Sequence, residues 1–188
     1  MFKLRHFDWL APIYEKVISG EATDKLIETL DLKSDQWILD AGGGTGRIAA
    51  SLRGERRKII VADISYKMLW QAHQKNELLC TVCDAKKLPF EHHFFDRIVI
   101  VDAFHHIPDQ PQAMNEMWRV LKPGGILTIE EPDISHTSVK MIALMERVLL
   151  MGSKFLKIEE MVRMIEFHQP QKVMVYNENH SYWITAIK

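Results

Sequence analysis

Between about residues 36 and 132 the chain repeats one arrangement: a short apolar run, a polar or glycine-rich break, then apolar residues three and four apart. The runs at about 36–41, 58–62, 79–83, 96–101 and 126–129 predict strands. Their continuous rather than alternating apolarity predicts burial on both faces of a parallel sheet. Helices are predicted over about 45–53, from Ile64-Ser65 to near Asn76, and over about 110–121. The last of these meets Lys122-Pro123-Gly124-Gly125, which cannot continue a helix and predicts a turn into the fifth strand. Ahead of this block, Phe7, Trp9, Leu10, Ile13, Tyr14, Val17 and Ile18 form a helical stripe, and Ala22 to Leu30 repeats the pattern. Behind it, helices are predicted over about 137–151 and 157–167, followed by apolar runs at 172–176 and 182–187. The short polar connector Asn177–Ser181 between those two runs predicts an antiparallel hairpin.

The outcome is an α/β chain. No repeat, low-complexity stretch or linker divides it, so residues 1–188 read as one domain: a helical cap over 1–35, a central half over 36–132, and helices with a closing hairpin over 133–188. Composition narrows the class. The chain is 47% hydrophobic and 26% charged with a net charge of −1, which is ordinary globular material. Lys and Arg do not cluster, so nucleic acid is not an expected partner. The first eight residues lack the apolar core of a signal peptide. The greasiest later stretch, Met141 to Met151, carries Glu146 and Arg147 and is too short to span a bilayer. Cys80 and Cys83 form a lone C-x-x-C on a predicted strand, where residues three apart point to opposite faces. No second pair completes a zinc site. Two buried thiols in a reducing, cytoplasmic compartment are expected.

The chemistry concentrates at Ile38-Leu39-Asp40-Ala41-Gly42-Gly43-Gly44-Thr45-Gly46-Arg47, a strand, a glycine turn and a helix N-terminus. That is where α/β sheets bind nucleoside cofactors. The next strand ends in Asp63, roughly 20 residues further on, where a carboxylate can accept from both ribose hydroxyls. Glycine spacing separates the cofactor classes. A dinucleotide fingerprint wants Gly or Ala at position 47, and Arg stands there; the Asp40, Gly42, Gly44, Gly46 pattern suits a cofactor without a pyrophosphate.

Four blocks carry a family resemblance: Ile38 to Gly46; Val61 to Ser65; Cys83-Asp84-Ala85 with Leu88-Pro89-Phe90 and Phe95-Asp96; and Arg119 to Gly125. In order and spacing they resemble the class I S-adenosylmethionine (SAM) methyltransferases. Phe7-Asp8-Trp9-Leu10-Ala11-Pro12-Ile13-Tyr14-Glu15 and the glycine loop are similar to the ubiquinone and menaquinone biosynthesis branch, which acts on small molecules. The resemblance implies a three-layer Rossmann-like fold. Its seven-stranded sheet is mostly parallel, in the order 3-2-1-4-5-7-6, with the hairpin antiparallel. It also implies SAM as cofactor and methyl transfer to a small, apolar or aromatic acceptor. A non-catalytic SAM-binding sensor or assembly protein, and an NAD-dependent oxidoreductase, are the rival readings.

Roles follow for individual residues. Gly42, Gly43 and Gly44 let the backbone approach the cofactor, and the helix opening near Thr45 points N–H groups at the methionine carboxylate. Asp63 holds the ribose, Ile64 and Met68 cover the adenine, and Asp84 with the Ala85 amide reads its edge. Asp102 and Ala103 lie near the methionine end, with Tyr14 or Trp9 closing from the N-terminal helix. Asp40 orders the loop or touches the ligand. Candidates for a general base are His105, His106, Glu130, Glu131 and Asp133, past the fourth and fifth strands. Glu130 and Glu131 point to opposite faces, so at most one faces the pocket. His92-His93 reads as a surface loop and no metal is expected. The methionines of the later helices read as core, as an adaptable wall for a greasy acceptor, or as a partner-facing surface.

Overall fold

The computed structural model describes residues 24–54, 57–75, 78–148, 152–178 and 180–188. The N-terminal stripe, with Tyr14 and Trp9, and residues 149–151 lie outside them. In chain order the elements are α1 (Asp24–Leu30), β1 (Trp37–Ala41), α2 (Arg47–Ser51), β2 (Lys58–Asp63), α3 (Tyr66–His73), β3 (Leu78–Val82), β4 (Phe95–Val101), a single 3-10 turn (Phe104–His106), α4 (Gln110–Val120), β5 (Leu121–Pro132), α5 (Thr137–Val148), α6 (Ile158–Glu166), β6 (Lys172–Glu178) and β7 (Ser181–Ile187).

The sheet order is β3-β2-β1-β4-β5-β7-β6. β1 to β5 pair in parallel and β7 is antiparallel to both β5 and β6, as the resemblance implies. Successive side chains on a strand face opposite ways, so each apolar run feeds two layers. Leu39, Ile60, Ile98 and Ile100 pack toward Ala113, Met114 and Met117 of α4 and Met161 and Ile165 of α6. Ile38, Ile59, Val61 and Val99 face the other way, onto α1, α2 and α3 through Leu30, Ile48, Leu52, Leu69 and Ala72. The buried Arg97 joins α1 to the sheet: its Nε donates to the Leu30 carbonyl, and Nη2 donates to that of Asp31 at 2.9 Å.

Three local expectations change. The Lys122–Gly125 turn is part of a longer β5, which starts at Leu121 directly after α4. Its pairing with β4 shifts register between Phe95 and Arg97, and the end of β7 holds it, with Gly124 N donating to the Lys188 carbonyl and Lys188 N to that of Gly125. β3 is a sheet edge, so its apolar run is only half covered, with Leu79 and Val82 about half exposed. The two thiols are accordingly half-buried rather than buried, and Cys83 falls just beyond the strand. Lastly, Met141 and Leu144 of α5 point outward, while Met161 of α6 is in the core. No helix among the described residues is long and apolar enough to cross a membrane.

Candidate functional site

The carboxyl ends of β1, β2, β3 and β4 open onto one cavity. Its wall includes Gly42, Gly44, Asp63, Ile64, Met68, Asp84, Ala85, Asp102, Ala103 and His106. Ala41, Ala62, Cys83, Lys86, Leu88, Ile107 and Pro108 also line it, positions that sequence reasoning did not assign to a site. Gly43 and Thr45 do not line it, and neither does His105.

The glycine loop is fastened to β2. Gly42 and Gly43 N–H both donate to the Ala62 carbonyl, at 2.7 and 3.3 Å, and Gly44 N–H donates to Asp63 Oδ2 at 3.0 Å. Gly42 has φ +69°, and a Cβ there would come within 2.9 Å of the Ala103 Cβ. Only glycine lets the two loops meet this closely. Thr45 is buried behind the loop; its carbonyl accepts from Lys75 Nζ at 2.7 Å, and its hydroxyl finds no partner among the described residues. Asp40 sits beneath, accepting from Ala49 N–H at 3.2 Å at the start of α2. Burial pushes its carboxyl up to about 7, with the nearby Asp63 adding to the rise and the Ala49 amide opposing it.

Asp63 has two sides. Its Oδ1 accepts from Ser65 N–H at 2.7 Å, ordering the turn into α3, and it also lines the cavity. Ser65 rather than Asp63 caps α3, its hydroxyl accepting from Met68 N–H. Asp84 accepts from Lys86 N–H at 2.9 Å and lies 3.5 Å from Lys86 Nζ.

The far end of the cavity is built differently. Asp102 stands at φ +51°, a left-handed conformation that Asp tolerates better than most residues, and the chain then tightens into the 3-10 turn. Glu131 of β5 receives that turn. Its Oε1 accepts from Ala103 N–H and Phe104 N–H at 3.1 and 2.7 Å, and its Oε2 from His105 N–H at 3.2 Å and His105 Nδ1–H at 2.7 Å. The carboxylate accepts only, so the His105 proton sits on Nδ1. Glu131 and His105 are both buried, away from the cavity wall. His106 is on the wall, with Nδ1 3.0 Å from the Ser153 hydroxyl. Burial, and His105 beside it, lower its pKa to about 3, so its imidazole is neutral at physiological pH. Glu130 is raised to about 7 by burial and by Asp102, with Ser181 and Arg47 opposing. Asp133 accepts from Ser135 N–H and is 3.8 Å from His136. His92 and His93 are exposed. No group of three or more His, Cys, Asp or Glu among the described residues could hold a metal ion.

With a glycine loop, an acid at the end of β2 and another after β3 on a sheet closed by an antiparallel hairpin, residues 39–129 match the family model described as a methyltransferase domain. Among curated proteins it is 36% identical over 118 residues to the ubiquinone/menaquinone biosynthesis C-methyltransferase UbiE of Coxiella burnetii, covering 57% of this chain and 47% of that protein. The chain thus spans about half the length of the curated relatives it matches. Among solved structures, a chain of the complex between the Haloferax volcanii Trm112 methyltransferase activator and a methyltransferase superposes with a TM-score of 0.79 at 15% identity, over 97% of both chains. Phosphoethanolamine N-methyltransferase 2 of Haemonchus contortus, solved with phosphomonomethylethanolamine and S-adenosylhomocysteine, gives 0.80 at 18%, over 98% of this chain and 58% of that one.

Proposed function

We propose that this protein binds SAM in the cavity at the ends of β1 to β4 and transfers its methyl group to a small, apolar or aromatic acceptor in the cytoplasm. The observation that carries the reading is the order of groups along the cavity wall. Asp84 and Ala85 follow β3, Asp63, Ile64 and Met68 end or follow β2, the glycine loop follows β1, and Asp102 and His106 follow β4, and the strands lie side by side in that order. That order fits the group. An apolar slot edged by carboxylates suits an adenosine, and glycine-loop backbone beside Asp102 suits a charged amino-acid end. The printed names of the curated relatives, C-methyltransferases of ubiquinone and menaquinone biosynthesis, support an apolar, aromatic acceptor. They do not fix which atom receives the methyl.

SAM, when bound, supplies an already activated methyl on a sulfonium. The chain's own residues then have three tasks. Asp63 holds the ribose side through a carboxylate that Gly44 and Ser65 keep in place. His106, Ile107 and Pro108, which also line the cavity, present the acceptor and keep the junction dry. Holding the reacting groups in line is the main contribution, since well-oriented reactions gain ~7–11 kcal/mol in this way. His106, lowered to about 3, is too weak a base to hold an acceptor proton at neutral pH, and its neutral imidazole orients the acceptor by hydrogen bonding; His105, bonded to Glu131, supports it from behind.

Thermal denaturation with S-adenosylhomocysteine, SAM, NAD and NADP in turn tests the cofactor. At ~100 times its Kd a ligand stabilises by about 2.7 kcal/mol, roughly 5–10 °C for a chain of this size. A shift with NAD and none with either SAM-type ligand overturns the reading, and so does SAM binding without methyl transfer to any quinol, phenol or amine acceptor. Asp63→Ala should weaken S-adenosylhomocysteine binding at least tenfold, about 1.4 kcal/mol. An unchanged Kd in a folded variant removes Asp63 from the ribose site.

A further inference from the structure

We infer that Glu131 is the positioning residue of the acceptor end: four donors on the turn after β4 converge on its carboxylate, which holds Asp102, Ala103 and His106 against the cavity. The inference rests on the methyltransferase reading.

The turn needs such an acceptor. Asp102 at φ +51° and Ala103 at φ −138°, ψ −26° break the strand without entering a helix. Three consecutive amides, from Ala103 to His105, face away from any strand partner, in a segment whose Phe104 and His105 side chains are buried. Buried amides without acceptors are costly and rare. Glu131 reaches across from the neighbouring strand and accepts all three. Its own position is fixed by the β5–β7 pairing, in which Glu131 stands opposite Tyr182.

The fourth donor extends the reach of Glu131 to the cavity wall. His105 Nδ1–H completes the set, and the His105 ring packs on two others: Phe155 stacks on it at 4.3 Å and 16°, and His106 lies tilted against it at 4.0 Å. The carboxylate therefore sets the angle of His105, His105 sets the floor on which His106 rests, and Ser153 fixes the other degree of freedom through His106 Nδ1. Glu131 does not line the cavity, and its hydrogen bonds run to Ala103, Phe104 and His105, so its effect passes through the turn and the imidazole. Replacing the carboxylate by an amide tests this chemically. Glu131→Gln keeps one acceptor oxygen for Ala103 and Phe104. Its amide nitrogen replaces the oxygen that served His105, so the His105 backbone N–H loses its acceptor, and His105 Nδ1 must give up its proton and move it to Nε2.

Two measurements on the full chain decide it: calorimetric titration with S-adenosylhomocysteine, and nitrogen-15 spectra of the histidine side chains. The expected results are a His105 tautomer change in Glu131→Gln with a moved His106 resonance, a loss of affinity under threefold in Glu131→Gln, and a loss of at least tenfold in Glu131→Ala. Glu131→Ala binding like the wild type, or a His106 resonance unmoved in Glu131→Gln, overturns the inference. If Glu131→Ala fails to fold, the His106 resonance of Glu131→Gln decides alone. Failure of the wild type to bind S-adenosylhomocysteine overturns the methyltransferase reading instead. The resonance test needs no cofactor and still answers for Glu131.

Discussion

The two ends of the cavity are made from different materials. At the glycine loop, the contacts that set the shape are backbone to backbone, or backbone to a side chain at the next strand end: Gly42 and Gly43 on the Ala62 carbonyl, Gly44 on Asp63. At the histidine turn they are buried side chains reaching over long sequence separations. Glu131 holds Phe104, Gln110 Nε2 donates to the Lys154 carbonyl at 2.8 Å, and Ser153 meets His106. Tyr182 adds a further stitch, its hydroxyl donating to the Leu156 carbonyl at 3.3 Å. One end is specified by which φ angles the chain can reach, the other by which side chains arrive from elsewhere. The first should fail globally when a glycine is lost. The second should fail locally, one stitch at a time.

The sharpest way to break that contrast is Gly46→Val. Gly46 has φ +70°, and a Cβ there would stand 2.9 Å from Leu78 Cδ1 and 3.0 Å from the Ala72 Cβ. A β-branched residue forced into that conformation costs ~1–3 kcal/mol, and overpacking against α3 and β3 adds ~1–3 kcal/mol. The expected loss is about 3 kcal/mol or more, a fall in Tm of roughly 6–12 °C, read from urea and thermal denaturation. A variant as stable as the wild type would show that the loop tolerates a side chain and that its shape does not depend on glycine.

The carboxylate beneath that loop gives a pH-dependent test. Asp40 has an ordinary pKa of 3.8 when unfolded and about 7 when folded, because burial opposes its charge. Between those values the folded chain keeps a proton that the unfolded chain has released. Stability is therefore fullest at low pH and falls as pH rises through about 7. From pH 5 to pH 8 the Asp40 share amounts to about 2–3 kcal/mol. Glu130 acts with the same sign, having been raised to about 7 from 4.5. Asp40→Asn removes only the first share, since an amide oxygen still accepts from Ala49. The cofactor-free variant should lose less stability than the wild type over that pH range, as measured by urea midpoints at each pH. Parallel curves would assign the slope elsewhere.

How much of this was legible in the sequence follows the same division. The antiparallel hairpin and the line of acids at strand ends rest on local features: apolar runs, glycine spacing, and a carboxylate just after each run; the strand order came only with the family resemblance that those features carry. Asp63, Asp84 and Asp102 on one wall needed nothing more. Glu131 was harder. Two adjacent glutamates at the end of a strand can be told apart only by knowing which face the turn after β4 occupies, and that turn lies 26 to 28 residues away. His105 and His106 look equivalent in the chain, yet one is bonded beneath the other. Met141 and Leu144 share a helical face, as their spacing says, but periodicity does not reveal what that face meets, and both are exposed. The start of β5 was missed because Pro-Gly-Gly reads as a stop until the end of β7 is seen to supply partners.

The smallest expected effect lies at the stitched end, in Ser153→Ala. Ser153 meets His106 Nδ1 at 3.0 Å from a segment that is separately held, since Lys154 N–H donates to the His105 carbonyl at 2.7 Å. Removing one hydroxyl leaves those other bonds in place, so the stability change should stay below about 1 kcal/mol. S-adenosylhomocysteine affinity should be unchanged, because the glycine loop and Asp63 are untouched. What changes is the freedom of the His106 ring. A single hydrogen bond is worth ~0.5–1.5 kcal/mol, so the rate of methyl transfer to a given acceptor should fall about 3- to 10-fold at saturating SAM. Because His106 titrates near 3, that fall should be the same from pH 6 to pH 9. A fall that grows toward low pH would mean that the His106 imidazole carries a proton in the working range and that its environment is wetter than its burial indicates. A loss of cofactor affinity equal to the loss of rate would mean that the two ends of the cavity are not separable.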